Sequence, residues 1–246
     1  MKQKIIIIAF FVSILTILYV YYSKNSAIAD RQLPIDKTEK EIVQSKTGNL
    51  AGMNGKVLIA YFSWADNTVF NQNMDVLSSA SSTIPGNTAV MAQLINSQIG
   101  GELYPIKVKE AYPYDYDKCL DRAANEKIDR VRPELLNTIN NFDDYDIIFL
   151  GFPNWCYTAP MAVFSFIEQY DFSNKTVIPF CSHGTGGVAG SVKDIIADLP
   201  STTEVLPAID INRDDMGNAE TVISAWLDSI GFQNKESSSG KNSWYI

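Results

Sequence analysis

The chain has 246 residues, enough for one sizeable core with appendages, and 46% of them are apolar, as a globular fold requires. Its net charge is −8, and setting aside the three lysines of residues 1–29 takes the remainder to −11. That sign excludes a nucleic-acid partner, whose phosphates an acidic protein repels.

Residues 5–22 form an almost unbroken apolar run behind Lys2 and Lys4. Ala27-Ile28-Ala29 is a small-x-small cleavage site, which makes residues 1–29 a signal peptide. The run is also long enough to span a bilayer, which makes it a membrane anchor if uncleaved. Under both readings the lysines keep the N-terminus in the cytoplasm. The rest of the chain is then expected outside the cytoplasmic membrane, secreted or anchored. Residues 30–55 are polar, carry Gly48, Gly52 and Gly55, and read as a linker.

From Lys56 the pattern alternates between strand and helix. Strands are expected at 56–62, 102–108, 146–150, 176–180 and 204–209. Helices are expected at 88–99, 116–127, 132–141, 159–170, 188–199 and 217–230, with a break at Arg132-Pro133. The third strand, Asp146-Ile147-Ile148-Phe149-Leu150, is nearly all apolar, as strands covered on both faces are. This order predicts an α/β fold over residues 56–231, a doubly wound five-stranded parallel sheet, followed by a polar tail at 232–246.

Ligands of such sheets sit outside the carboxyl ends of the strands. Three segments there are rich in functional residue types. The first joins Ser63 to Gly86-Asn87-Thr88 at the start of a helix. A hydroxyl-rich loop at a helix N-terminus can hold a phosphate, because first-turn N–H groups lack partners and the dipole end is positive. The same residues alone would read as an ordinary cap. The second is Gly151-Phe152-Pro153-Asn154-Trp155-Cys156-Tyr157, and the third Cys181-Ser182-His183-Gly184-Thr185-Gly186-Gly187.

Tyr61-Phe62-Ser63-Trp64, Gly86-Asn87-Thr88, residues 146–155 and residues 176–187 together resemble the flavodoxin-like family, in particular bacterial flavodoxin-domain proteins whose first strand ends in Tyr-Phe-Ser-Trp. The resemblance implies strand order 2-1-3-4-5 and bound FMN. By position it implies that Ser63, Gly86, Asn87 and Thr88 bind the phosphate. Pro153, Asn154, Trp155, Cys156 and Tyr157 would line the isoalloxazine, and Ser182, His183, Gly184 and Gly186 would close its other side. The family's phosphate loop runs without interruption, whereas here Ser63-Trp64-Ala65 continues into Asp66-Asn67-Thr68 and Gly86-Asn87-Thr88 comes later. A carboxylate at Asp66 would repel a phosphate, and only Thr88 is followed by a clean helix. The helix start is therefore placed at Gly86, with residues 65–85 as an insertion in the loop.

Other readings are weaker. Trp155 could be a core aromatic, although a large aromatic in such a loop suits stacking on a flat ring. His183, the sole histidine, is either structural or a donor and proton shuttle beside the ring. Cys156 and Cys181 end neighbouring strands and read as a bridge, a redox pair or two unpaired thiols, and Cys119 makes the number odd. A hydrolase using Cys156 or Ser182 with His183 lacks the Gly-x-Ser-x-Gly elbow. Gly184-x-Gly186-x-x-Ala189 matches a dinucleotide fingerprint but follows the fourth strand, and Glu204 opens its strand at the wrong edge. Asp143-Asp144 and Asp214-Asp215 lack a third ligand for a metal.

The expected function is that of an FMN-binding electron-transfer protein outside the cytoplasmic membrane, working with a redox partner protein or a quinone. The alternatives are a flavin-dependent NAD(P)H or quinone oxidoreductase, and a binding module that keeps the fold without flavin.

Overall fold

The computed structural model describes residues 55–69, 83–184 and 186–232. The apolar run at 5–22, the linker as far as residue 54, residues 70–82 of the insertion and the tail from 233 lie outside the described residues. Among the described residues no helix is long and apolar enough to cross a membrane.

The strands are β1 (Val57–Tyr61), β2 (Glu102–Pro105), β3 (Ile147–Pro153), β4 (Thr176–His183), β5 (Glu204–Val205) and β6 (Ile209–Asn212). The helices are α1 (Asn87–Ile99), α2 (Tyr116–Ile128), α3 (Met161–Gln169), α4 (Ser191–Asp198) and α5 (Ala219–Ser229). All ladders are parallel, in the order β2-β1-β3-β4-β5, with β6 also on β4. The doubly wound sheet read from the sequence is therefore present. The chain leaves β1 for β2 on one side and reaches β3 on the other, so strand order reverses between β1 and β3.

Both faces of the sheet are covered, which is why β3 is apolar at every position. Ile59, Phe149 and Ile178 pack with Met91 and Ile95 of α1 and Ile223 of α5 on one face. Leu58, Ala60 and Leu150 pack with Phe166 of α3, Ile195 of α4 and Phe142 on the other. Each such side chain stabilises the fold by about 1.5–3 kcal/mol on burial. Gly151 registers opposite Phe180 on β4. A Cβ at Gly151 would lie 2.1 Å from Phe180 Cζ, so this strand position admits no side chain.

Four expected elements need correction. Residues 132–141 form no helix. Pro133 and Leu135 are buried while Glu134 and Leu136 are exposed, a period of two, and Leu135 bridges Val108 in antiparallel fashion. The second strand stops at Pro105 rather than Val108. The expected strand at 204–209 is two segments: Val205 registers with Val177 and Ile209 with Phe180, so the edge carries one extra residue, a bulge at Leu206-Pro207-Ala208. Pro207 brings no N–H to a ladder, and its carbonyl instead accepts from Trp226 Nε1 at 3.0 Å. After the bulge pairing resumes as far as Asn212, beyond the expected end. The helix expected from 188 begins at Ser191.

Gly151→Ala should lower unfolding free energy by about 1–3 kcal/mol through overpacking against Phe180, read by chemical denaturation. An unchanged midpoint would mean the strand has room that its packing denies.

Candidate functional site

The crevice at the carboxyl ends of β1 and β3 is built first by Ser63 and the start of α1. Ser63 is 2% exposed, and its Oγ is a buried side-chain oxygen with no hydrogen-bond partner among the described residues. A Cβ on Gly86 would lie 2.2 Å from that oxygen, so only glycine lets the helix start meet the serine. Gly86 is extended (φ −64°, ψ 148°) and has no side chain with which to cap α1, and the first turn holds no acid. The first turn stands at the positive end of the helix dipole. Helix α1 begins where the Gly86 placement required. Asn87 and Thr88 are buried in that turn. Asn87 Oδ1 accepts from Thr83 Oγ1 at 3.2 Å, while Thr88 Oγ1 lies 2.7 Å from Ser182 Oγ at the end of β4.

The loop after β1 is held by Asn67, the middle residue of Asp66-Asn67-Thr68. Its Nδ2 donates to the carbonyls of Ser63 and Ile106, both at 2.9 Å, and its Oδ1 accepts from Val108 N at 2.8 Å. The carboxamide is therefore turned to the backbone and fixes the peptide carrying Ser63. Thr68 Oγ1 donates to Tyr112 O and Trp64 Nε1 to Pro113 O, which ties the same loop to the segment after β2. Asp66 stands beside this turn with its carboxyl raised, first by desolvation and partly offset by Lys107.

The loop after β3 is a tight turn. Trp155 N donates to Thr158 O at 2.8 Å and Thr158 N to Trp155 O at 2.9 Å, with Cys156 and Tyr157 both left-handed (φ 50° and 65°). This is the type I′ geometry, which glycine and asparagine prefer. Two side-chain-bearing residues there cost roughly 1–2 kcal/mol each. The surroundings hold the turn: Lys127 Nζ donates to Cys156 O at 2.7 Å, and Thr158 Oγ1 to Asp194 Oδ2 at 2.6 Å. The strain presents Tyr157, 72% exposed, at the rim. Trp155 is half-buried, edge-on to Phe62 at 5.3 Å and to Tyr112 at 5.2 Å. Pro153 ends β3. Asn154 Nδ2 donates to Gly187 O, its Oδ1 accepts from Ser191 Oγ at 3.3 Å, and its N donates to Ser182 O at 2.9 Å. Asn154 thus clasps the third loop, and Gly186 faces the Tyr157 ring, a Cβ there being 3.6 Å from Tyr157 Cε1.

Ser182 and His183 belong to β4 and not to the loop. His183 Nδ1 lies 2.7 Å from Gly184 O and Nε2 2.8 Å from Asp210 Oδ2, so both ring nitrogens are occupied. Asp210, Asn212 and Arg213 reach this edge unforeseen: Asn212 Nδ2 donates to Gly184 O, and a Cβ at Gly184 would meet Arg213 Nη1 at 3.8 Å. They were missed because the expected strand ends at Ile209, where pairing after the bulge has only just resumed. The three cysteines are free. Cys181 registers one position past Phe180, opposite Phe152, while Cys156 lies in the turn beyond, so the two do not sit side by side in the ladder. Burial raises all three thiols, Cys119 and Cys181 to about 12, with Lys127 pulling Cys156 back in part.

The chain belongs to the flavodoxin family, whose sequence model matches residues 74–230, well over half of it. Among solved structures, a Bacteroides eggerthii protein assigned as a flavoprotein is 29% identical with a TM-score of 0.55, covering 73% of this chain and 100% of its own. A Bacteroides uniformis protein assigned likewise is 28% identical with a TM-score of 0.55, covering 71% and 98%. A Lactobacillus acidophilus flavoprotein crystallised with FMN is 22% identical with a TM-score of 0.48, covering 68% and 99%. A search of the curated proteins finds no match to this sequence.

Asn67→Ala should cost about 2–4 kcal/mol, since three buried backbone groups lose their partner. Denaturation midpoints check this. Alkaline pH should also destabilise the fold. Cys119, Cys181 and Tyr61 hold their protons to about 12, chiefly by burial, against ordinary values of 9.0 for thiols and 10.0 for the phenol. The unfolded chain releases these protons first, so their contribution is intact below pH 9 and is lost as pH climbs toward 12. Thermal melts should fall steadily across that window, and a flat profile would contradict the burial of these groups.

Proposed function

We propose that this chain is a flavoprotein that holds FMN by its phosphate at the start of α1 and carries electrons for a redox partner protein or a quinone, outside the cytoplasmic membrane. The observation that carries the reading is the orphaned Ser63 hydroxyl, buried against Gly86 beside the first turn of α1. A buried hydroxyl without a partner costs about 1–3 kcal/mol, a penalty that a phosphate oxygen there would relieve. The donors are neutral amides and hydroxyls, and the dipole supplies the positive field, so no lysine or arginine is needed. The two Bacteroides proteins assigned as flavoproteins support the same ligand class.

When bound, FMN supplies the electron-carrying chemistry. Ser63, Gly86, Asn87 and Thr88 would hold its phosphate. Trp155 and Tyr157, on their strained turn, would border the ring on one side. The β4 edge, with Ser182, His183, Gly184 and Gly186, would border it on the other, Asn154 keeping the two loops together. Export or anchoring rests on the apolar run at 5–22 and its flanking lysines.

The test is to titrate the purified full chain with FMN and with riboflavin, following the visible flavin bands. FMN should bind about 100-fold more tightly, because only it offers charged oxygens to the cradle. Gly86→Ala, which puts a methyl against Ser63, should erase that preference. Equal affinity for the two flavins, or binding of neither, would overturn the reading.

A further inference from the structure

The chain has one histidine, His183, which closes β4 with its side chain buried. Its ring stands between two oxygens. Gly184 O lies 2.7 Å from Nδ1, and Asp210 Oδ2 lies 2.8 Å from Nε2. The Gly184 carbonyl has two further donors, Asn212 Nδ2 and Gly187 N, each at the longer distance of 3.4 Å. The short contact from the His183 ring is therefore the strongest of the three. At this edge the charged or titratable neighbours are Asp210 on β6, Arg213 and Asp214 just beyond it, and Cys181 on β4. Arg213 Nε lies 3.6 Å from Asp214 Oδ1, and both side chains reach solvent. Burial keeps the Cys181 thiol protonated up to about 12, with Asp210 adding to the effect.

A backbone carbonyl and a carboxylate can only accept hydrogen bonds. A neutral imidazole carries one N–H and one lone pair, so either neutral tautomer turns a lone pair toward one of these two oxygens. Only a ring protonated at both nitrogens satisfies both contacts. When that ring gives up one proton, the two oxygens compete for the other. The carboxylate wins, since a hydrogen bond to an ionised acceptor is roughly twice as strong as one between neutral groups. The neutral ring therefore keeps Nε2–H toward Asp210 and turns the Nδ1 lone pair on Gly184 O. The Gly184 carbonyl is then left with its two long bonds.

We propose that His183 is a positioning residue whose second ring proton fixes the Gly184 peptide: with two protons the ring joins Gly184 O to Asp210, and with one it holds Asp210 alone. Under the FMN reading Gly184 borders the flavin ring, so flavin affinity follows this proton. That consequence rests on the FMN reading; the choice of tautomer does not.

Because the chain has a single histidine, long-range ¹H–¹⁵N spectra report this ring alone. The test records them for the full-length wild type and for Asp210→Asn, without ligand, as pH is raised across the folded range. In wild type both ring nitrogens should begin as N–H, and Nδ1 should lose its proton while Nε2 keeps its own. In Asp210→Asn the carboxamide can donate to Nε2, so the neutral ring should hold Nδ1–H toward Gly184 instead. A wild-type neutral ring protonated at Nδ1 in equal or greater part overturns the proposal, whether or not the variant folds. So does a wild-type ring that shows no titration over that range, or a variant that keeps the wild-type tautomer. FMN affinity over the same range should fall about 3- to 10-fold further in wild type than in Asp210→Asn as Nδ1 loses its proton, the phosphate of FMN titrating alike with both chains. Parallel affinity profiles in the two chains overturn the link to the flavin. Wild type that binds no flavin removes the FMN reading alone, and the tautomer still decides the positioning of Gly184.

Discussion

Three hydrogen bonds from the Asn67 carboxamide to buried backbone groups set the path of the chain out of β1. One of them grips the carbonyl of Ser63, whose hydroxyl lies against Gly86 without a partner among the described residues. A buried amide that bonds only to backbone is a rigid clamp, since each of its polar atoms would be costly to leave free. The chain can thus carry residues 65–85 between strand and helix and still deliver both ends of that segment to one point. What an uninterrupted loop would achieve by shortness is achieved here by a side chain.

The other two loops are joined by the same kind of bond. Asn154 spans from the end of β3 to Gly187 and Ser191, and Asp194 at the start of α4 holds Thr158. Between them Cys156 and Tyr157 are kept in left-handed conformations that their side chains disfavour. Such strain persists only where neighbours over-determine the backbone. Its result is an exposed Tyr157 ring at the carboxyl edge of the sheet. Conformational cost and candidate site coincide, as they do in proteins that shape a surface for a ligand.

The sheet was legible because its signals are periodic. The apolar run at Ile147-Ile148-Phe149-Leu150 and the glycines closing α1 belong to a pattern that local physics enforces. The start of α1 at Gly86 was legible for the same reason, a clean helical sequence following it and none following Thr68. Residues 132–141 misled because Arg132-Pro133 reads as a helix break, while the inward pointing of Pro133 and Leu135 depends on Val108, 27 residues earlier. The β5–β6 edge was cut short because the expected strand stops at Ile209, whereas pairing with β4 carries on to Asn212. Asn67 could not be recognised as a clamp, since its partners Ile106 and Val108 are distant in the chain. Glu126 and Asp210 were passed over likewise: each reads as a surface acid until Tyr112 or His183 is placed against it.

The central claim is that a phosphate belongs at the first turn of α1. Amide chemical shifts in ¹H–¹⁵N NMR spectra, recorded during addition of inorganic phosphate and then FMN, test it most directly. With both, the largest shifts should fall on the backbone amides of Asn87, Thr88 and Ala89, with Trp155 and Tyr157 joining only for FMN. Shifts that leave the first turn of α1 untouched while other surfaces respond would contradict it.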